Sequence, residues 1–212
     1  MPMVCRLKFY LLLLFTLESC HITESHKHQH GDRRLSSSIH FTRRIRSRIQ
    51  TLLMHYKEQE LGDSKFEDRS LMLKTLPSLN TDYFTWLHMK DTERLNRALR
   101  DLNIFLIHLD ANRKQIEEGM NGQTDTVTRS MYGVQLDVQD LLHHIKSQLN
   151  RMSSQGGPSG EMVTKQPLPL SLLQPQLSWH KRLQGYVVLR DLERYLGKLV
   201  RDFILLRSRY RK

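Results

Sequence analysis

The stretch GMNGQTDTVTRSMYGVQLDVQDLLHHIKSQLN, residues 119–150, decides the fold. In its longer part Val127, Met131, Val134, Val138, Leu141, Leu142, Ile145 and Leu149 recur at helical spacing and form one apolar stripe. In its shorter part Gly119, Asn121 and Gly122 make a break with no room to travel. A second stripe lies just upstream: Leu95, Leu99, Leu102, Leu106 and Leu109, broadened by Ala98 and Phe105. Asp91-Thr-Glu-Arg opens it with capping groups and early acidic charge. The spacing therefore predicts helices over 91–118 and 125–150. About six residues join them, which makes them antiparallel neighbours.

Two further helices flank this pair. Phe41, Ile45, Ile49, Leu52, Leu53 and Tyr56 give a stripe over 38–60, with Ser38 as a candidate N-cap and Gly62 as its stop. Val188, Leu192, Leu196, Leu199, Phe203 and Leu206 give another over 179–209. No stretch reads as a strand, so the fold class is all-α, a four-helix bundle. The connections carry more than the helices. Roughly 30 residues join the first helix to the second and some 28 the third to the fourth. Helices of ~20 residues are ~30 Å long, so each long link can cross the bundle end to end and leave its neighbours parallel. Long, short, long spells the up-up-down-down topology of a long-chain bundle.

That routing locates the two tryptophans. Trp86, in an aromatic cluster with Tyr83 and Phe84 just before the second helix, is expected near the C-terminal half of the fourth, around Arg201. Trp179, at the start of the fourth helix after Ser178, is expected at the opposite pole, ~30 Å away. Trp and Arg bury large area at low entropy cost and dominate interface hot spots. Each could equally pin a loop or staple a helix end to the core.

The N-terminus reads as a targeting segment. Arg6 and Lys8 precede the apolar run FYLLLLF (residues 9–15), which is too short to span a bilayer. The expectation is a signal peptide over 1–20, cleaved somewhere in 19–25, then a flexible His-rich tail over 21–35, then the helical domain over 36–212. The localisation expected is secreted and extracellular, with no membrane insertion. Cys5 and Cys20 both fall in or at the end of the leader, so no internal disulfide supports the mature chain.

A formal net charge of +11 makes anionic partners candidates, namely nucleic acid, heparin-like glycans or an acidic protein face, with the arginines of the first helix as the site for glycans or nucleic acid. That basic glycan- or nucleic-acid-binding protein is the competing reading. His26, His28 and His30 alternate but have no carboxylate or thiolate beside them, and no metal site is expected. Asp137 and Asp140 read as a solvated helix face. There is no Gly-rich phosphate loop, nucleophile elbow or zinc spacing, so neither enzyme nor cofactor is expected.

Particular residues also carry a resemblance. LPSLNTDYFTWLHMKDTERL (76–95), VQLDVQDLLHHI in the third helix, and SWHKRLQGYVVLRDLERYLGKLVRDFILL opening at Ser178 resemble the interleukin-6 family of long-chain helical cytokines. Within it they look like the branch of secreted subunits that pair non-covalently with a receptor-like chain. The resemblance covers the last three helices well and the first only by pattern. It implies a cytokine subunit that binds a soluble receptor-like beta subunit, the family's shared signal-transducing receptor and a second receptor chain. It further implies that Trp86 and Arg201 face the beta subunit and Trp179 docks on the shared receptor. One departure is plain: the second crossover, SSQGGPSGEMVTKQPLPLSLLQPQ, lacks the polyglutamate run of mammalian members of that branch, so no acidic or cation-binding property is carried over for that loop.

Overall fold

A computed structural model describes residues 3–119, 125–154 and 178–210. Five helices follow in order: α1 (Met3–Glu60), the short α2 (Tyr83–His88), α3 (Asp91–Gly119), α4 (Thr126–Ser154) and α5 (Ser178–Tyr210). The four long helices form an all-α bundle around one core.

Cross-helix contacts fix the directions. Tyr56 bonds to Arg182, Arg46 to Glu193 and Arg207 to Ser36, so α1 and α5 run opposite ways. Arg209 pairs with Asp91 and Arg94 with Asp202, so α3 and α5 also oppose. Ser38 meets Gln148 and Phe41 meets His144, which sets α4 against α1. Helices α1 and α3 are therefore parallel, as are α4 and α5: up, up, down, down. Each long helix packs on two others, α1 and α3 both against α4 and α5, so the α1/α4 and α3/α5 faces lie on opposite sides.

The first crossover shows how the chain covers the bundle's length. Gly62, at φ 73°, takes the left-handed conformation that ends α1. From there the Phe66 ring meets Tyr186 edge-on at 5.0 Å, and Arg190 donates to the carbonyls of Asp68 (2.5 Å) and Leu71 (2.6 Å). Lys198 then reaches the Thr81 hydroxyl at 3.1 Å, and Trp86 reaches Asp202 at 2.6 Å. The crossover thus descends α5 from residue 186 to residue 202, about 24 Å at 1.5 Å per residue. With α1, α3 and the crossover around it, α5 is buried on far more than one stripe: Tyr186 through Arg190 are all buried.

Two expectations differ at the N-terminal side. The helix continues unbroken through residues 21–35, where a flexible tail is expected. That stretch holds no proline and only Gly31 against a helix, and the buried stripe already begins at Leu35. Ser38 is accordingly no cap. It is buried mid-helix, its carbonyl accepting from Thr42 Oγ1 at 2.7 Å and its hydroxyl from Gln148 at 2.7 Å. The side chains of His26, His28 and His30 and the second crossover lie outside the described residues.

Candidate partner-binding poles

At the first pole, Asp82 caps α2, its carboxylate accepting the Thr85 N–H at 3.0 Å, and that bond holds its pKa below the ordinary value. The cap sets Tyr83, Phe84 and Trp86 on one short turn. Tyr83 meets Phe84 edge-on, ring centroids 5.7 Å apart, and lies tilted against Trp86 at 6.0 Å. Their exposures divide the roles: Tyr83 is 61% and Phe84 69% accessible, whereas Trp86 is half-buried.

Trp86 is held from two sides. Its indole N–H donates to Asp202 Oδ1, and the Arg94 guanidinium lies 5.3 Å over its ring. Arg94, 2% exposed, pairs with the same Asp202 oxygen at 2.6 Å and also donates to the Trp86 carbonyl. Arg94 is the middle residue of the Glu-Arg-Leu that opens α3. A buried cation, its carboxylate and an indole thus lock the end of the crossover to α3 and α5. Arg201, next to Asp202, points outward and forms no ion pair among the described residues; Ile204, one turn on, is 38% exposed. The structure therefore brings Trp86 and the Arg201 segment together, as the routing implied. The accessible aromatic surface belongs to Tyr83 and Phe84, whose signal in the sequence was an aromatic cluster lacking helical period.

At the opposite pole, Trp179 sits in the first turn of α5, 46% exposed, and makes no hydrogen bond among the described residues. One turn on, the chain is pinned firmly. Tyr56 donates to the Arg182 carbonyl at 2.9 Å, and Arg182 donates to the Glu60 carbonyl at 3.2 Å. Burial drives the Tyr56 phenol far above its ordinary pKa, with the Glu60 charge adding to the effect. Gly185 permits this approach, since a Cβ there would collide with the phenol oxygen. Between α1, α3 and α5 a cleft of about 570 Å³ opens, lined by Glu60, Ile116, Lys181 and Arg182 among others. Burial raises the Glu60 carboxyl there.

Neither pole assembles chemistry. Among the described residues no three His, Cys, Asp or Glu side chains are placed to hold a metal, and no helix is long and apolar enough to cross a membrane. The poles offer exposed aromatics on a rigid support.

Comparison with known proteins places this arrangement. Residues 20–211 match the family described as ciliary neurotrophic factor. The chain is 24% identical over 192 residues to interleukin-27 subunit alpha of Sus scrofa, covering 84% of this chain and 75% of that protein. It is also 24% identical over 175 residues to cardiotrophin-2 of Mus musculus, covering 82% of each.

Proposed function

Because the chain belongs to the ciliary neurotrophic factor family, and so is a helical cytokine and not an enzyme, we propose that it is a secreted subunit bridging receptor chains from two poles. The first pole, with Trp86, Arg201, Tyr83 and Phe84, pairs with a soluble receptor-like beta subunit. The second, with Trp179, docks on the family's shared signal-transducing receptor, and a second receptor chain completes the assembly. The observation that carries this reading is the opposed pair of exposed aromatic sites on one bundle, Tyr83 and Phe84 at one end and Trp179 at the other. Bonds between α1 and α5 run from Arg182 through Glu193 to Arg207, so one continuous packed helix pair holds the poles about 30 Å apart.

The test is co-secretion with candidate receptor-like subunits. The exposed variants Tyr83→Ser with Phe84→Ser, and Arg201→Ala, are expected to lose pairing while keeping wild-type thermal stability. Trp179→Ala is expected to keep pairing and to lose at least ~2 kcal/mol of binding to the shared receptor. Normal pairing by all first-pole variants, or normal receptor binding by Trp179→Ala, overturns the corresponding assignment.

A further inference from the structure

The excess positive charge is not evenly tied down. Across most of the bundle the arginines have carboxylate partners: Arg46 with Glu193, Arg48 with Asp137, Arg113 with Asp110 and Glu117, and Arg209 with Asp91. The lower α1/α4 face differs. Arg33, Arg44 and Arg151 are exposed there and form no ion pair among the described residues. Arg33, His40 and Arg44 fall on one stripe of α1. The antiparallel contacts of Ser38 with Gln148 and Phe41 with His144 set Arg151 opposite the Arg33 end.

Between the two helices lies a groove of about 680 Å³, lined chiefly by His40, Phe41, Arg44, Asp140, His143 and His144. Phe41 organises it. Its ring meets His144 at 5.2 Å and carries the Arg44 guanidinium 4.9 Å above its centroid. Arg44 is thereby held in place without losing its charge to a carboxylate, so less side-chain freedom is lost when it meets an anion. Asp140 is the one acid in the lining, and Asp137, one turn on, is already neutralised by Arg48.

We propose that this groove binds a sulfated glycan chain laid along α1, held by Arg33, Arg44 and Arg151, with His40, His143 and His144 lining its path. A linear polyanion with fixed charges at repeated intervals matches a cationic strip ~16 Å long from residue 33 to residue 44, and arginine forks suit sulfate oxygens. The choice of glycan over nucleic acid rests on the extracellular reading above; the groove's affinity for a polyanion does not. The α3/α5 face that carries Trp86 and Arg201 lies on the other side of the bundle, so the glycan and the receptor-like subunit can be held together.

The experiment uses the full secreted chain and a heparin octasaccharide at 150 mM NaCl. Arg33→Gln/Arg44→Gln/Arg151→Gln is expected to weaken binding at least about tenfold. Lys74→Gln/Arg100→Gln/Arg129→Gln, which removes equal charge from exposed sites elsewhere, is expected to cost less than about threefold. Equal losses in the two charge triples would reduce the effect to net charge and overturn the site. Tighter binding to a duplex DNA of matched charge would reassign the groove to nucleic acid. Co-secretion with the receptor-like subunit is measured in parallel; its retention by the groove triple separates this site from the first pole.

Discussion

The two poles solve the same problem, holding a loop or helix end so that aromatics can face outward, with opposite chemistry. At the first pole the clamp is ionic: Arg94 and Asp202 form a buried pair, and Trp86 is its third member. At the second the clamp is neutral: a buried phenol bonds to a helix carbonyl over a glycine. The tryptophans divide accordingly. Trp86 is built into its clamp and leaves the outer surface to Tyr83 and Phe84, whereas Trp179 stands one turn beyond its clamp and is itself the exposed group. Residue type alone does not make an interface anchor; what matters is whether the polar handle of the ring is already satisfied from within.

The contrast predicts unequal fragility. An ionic clamp that loses one member leaves an uncompensated buried charge. Asp202→Ala strands the Arg94 guanidinium, 2% exposed, and the Trp86 N–H together. The expected loss of stability is about 3–5 kcal/mol by urea unfolding. Trp86 fluorescence should report a loosened α2 below the global transition. A loss under about 1 kcal/mol would mean that water compensates Arg94, and the first pole would then be no ionic clamp.

The same division explains what could be read from the chain. The bundle and its up-up-down-down routing were legible because they follow from two quantities written in one dimension, the 3.6-residue period and the connection lengths. Val127, Val138 and Ile145 in the third stripe, and Val188, Leu192 and Phe203 in the fourth, are buried because a period specifies a face. The neighbourhood of Trp86 followed from direction alone. The bond from Trp86 to Asp202 did not, since the partners are 116 residues apart and their meeting depends on how α5 is rotated about its axis. Ser38 misled for a related reason: a serine before a stripe looks like a cap, but Leu35 extends the stripe one turn earlier. The path of the crossover down α5 was also hidden, because Arg190 and Lys198 grip it largely through carbonyls and a hydroxyl that leave no pattern in side-chain type.

At the second pole the neutral clamp depends on shape. Alanine for glycine inside a helix ordinarily stabilises by ~0.5–1 kcal/mol. Gly185→Ala is expected to reverse that sign, since the new methyl displaces the Tyr56 phenol and breaks its bond to Arg182. The cost should be about 1–3 kcal/mol in thermal or urea unfolding. Restoring space with Tyr56→Phe in the same chain should recover part of it, the phenyl ring keeping its packing without the oxygen. If Gly185→Ala is neutral or stabilising, Tyr56 can move freely and the second pole is not held by fit.

The smallest expected effect concerns the crossover that links the poles, at its contact with α3. His108 on α3 bonds to the Thr75 carbonyl, while its Nε2 is buried without a partner. Burial depresses its pKa below the ordinary histidine value, outweighing the bond to Thr75. Below about pH 6.5 the unfolded chain therefore takes up a proton that the folded chain resists, and stability falls as pH drops toward the depressed value. The contribution is complete above that range and is lost on the acid side. In parallel unfolding curves at pH 7 and pH 5, wild type should lose more stability than His108→Gln, whose amide can still donate to Thr75. The difference should be smaller than either loss above. Parallel curves for the two proteins would mean that the imidazole finds an acceptor when it charges.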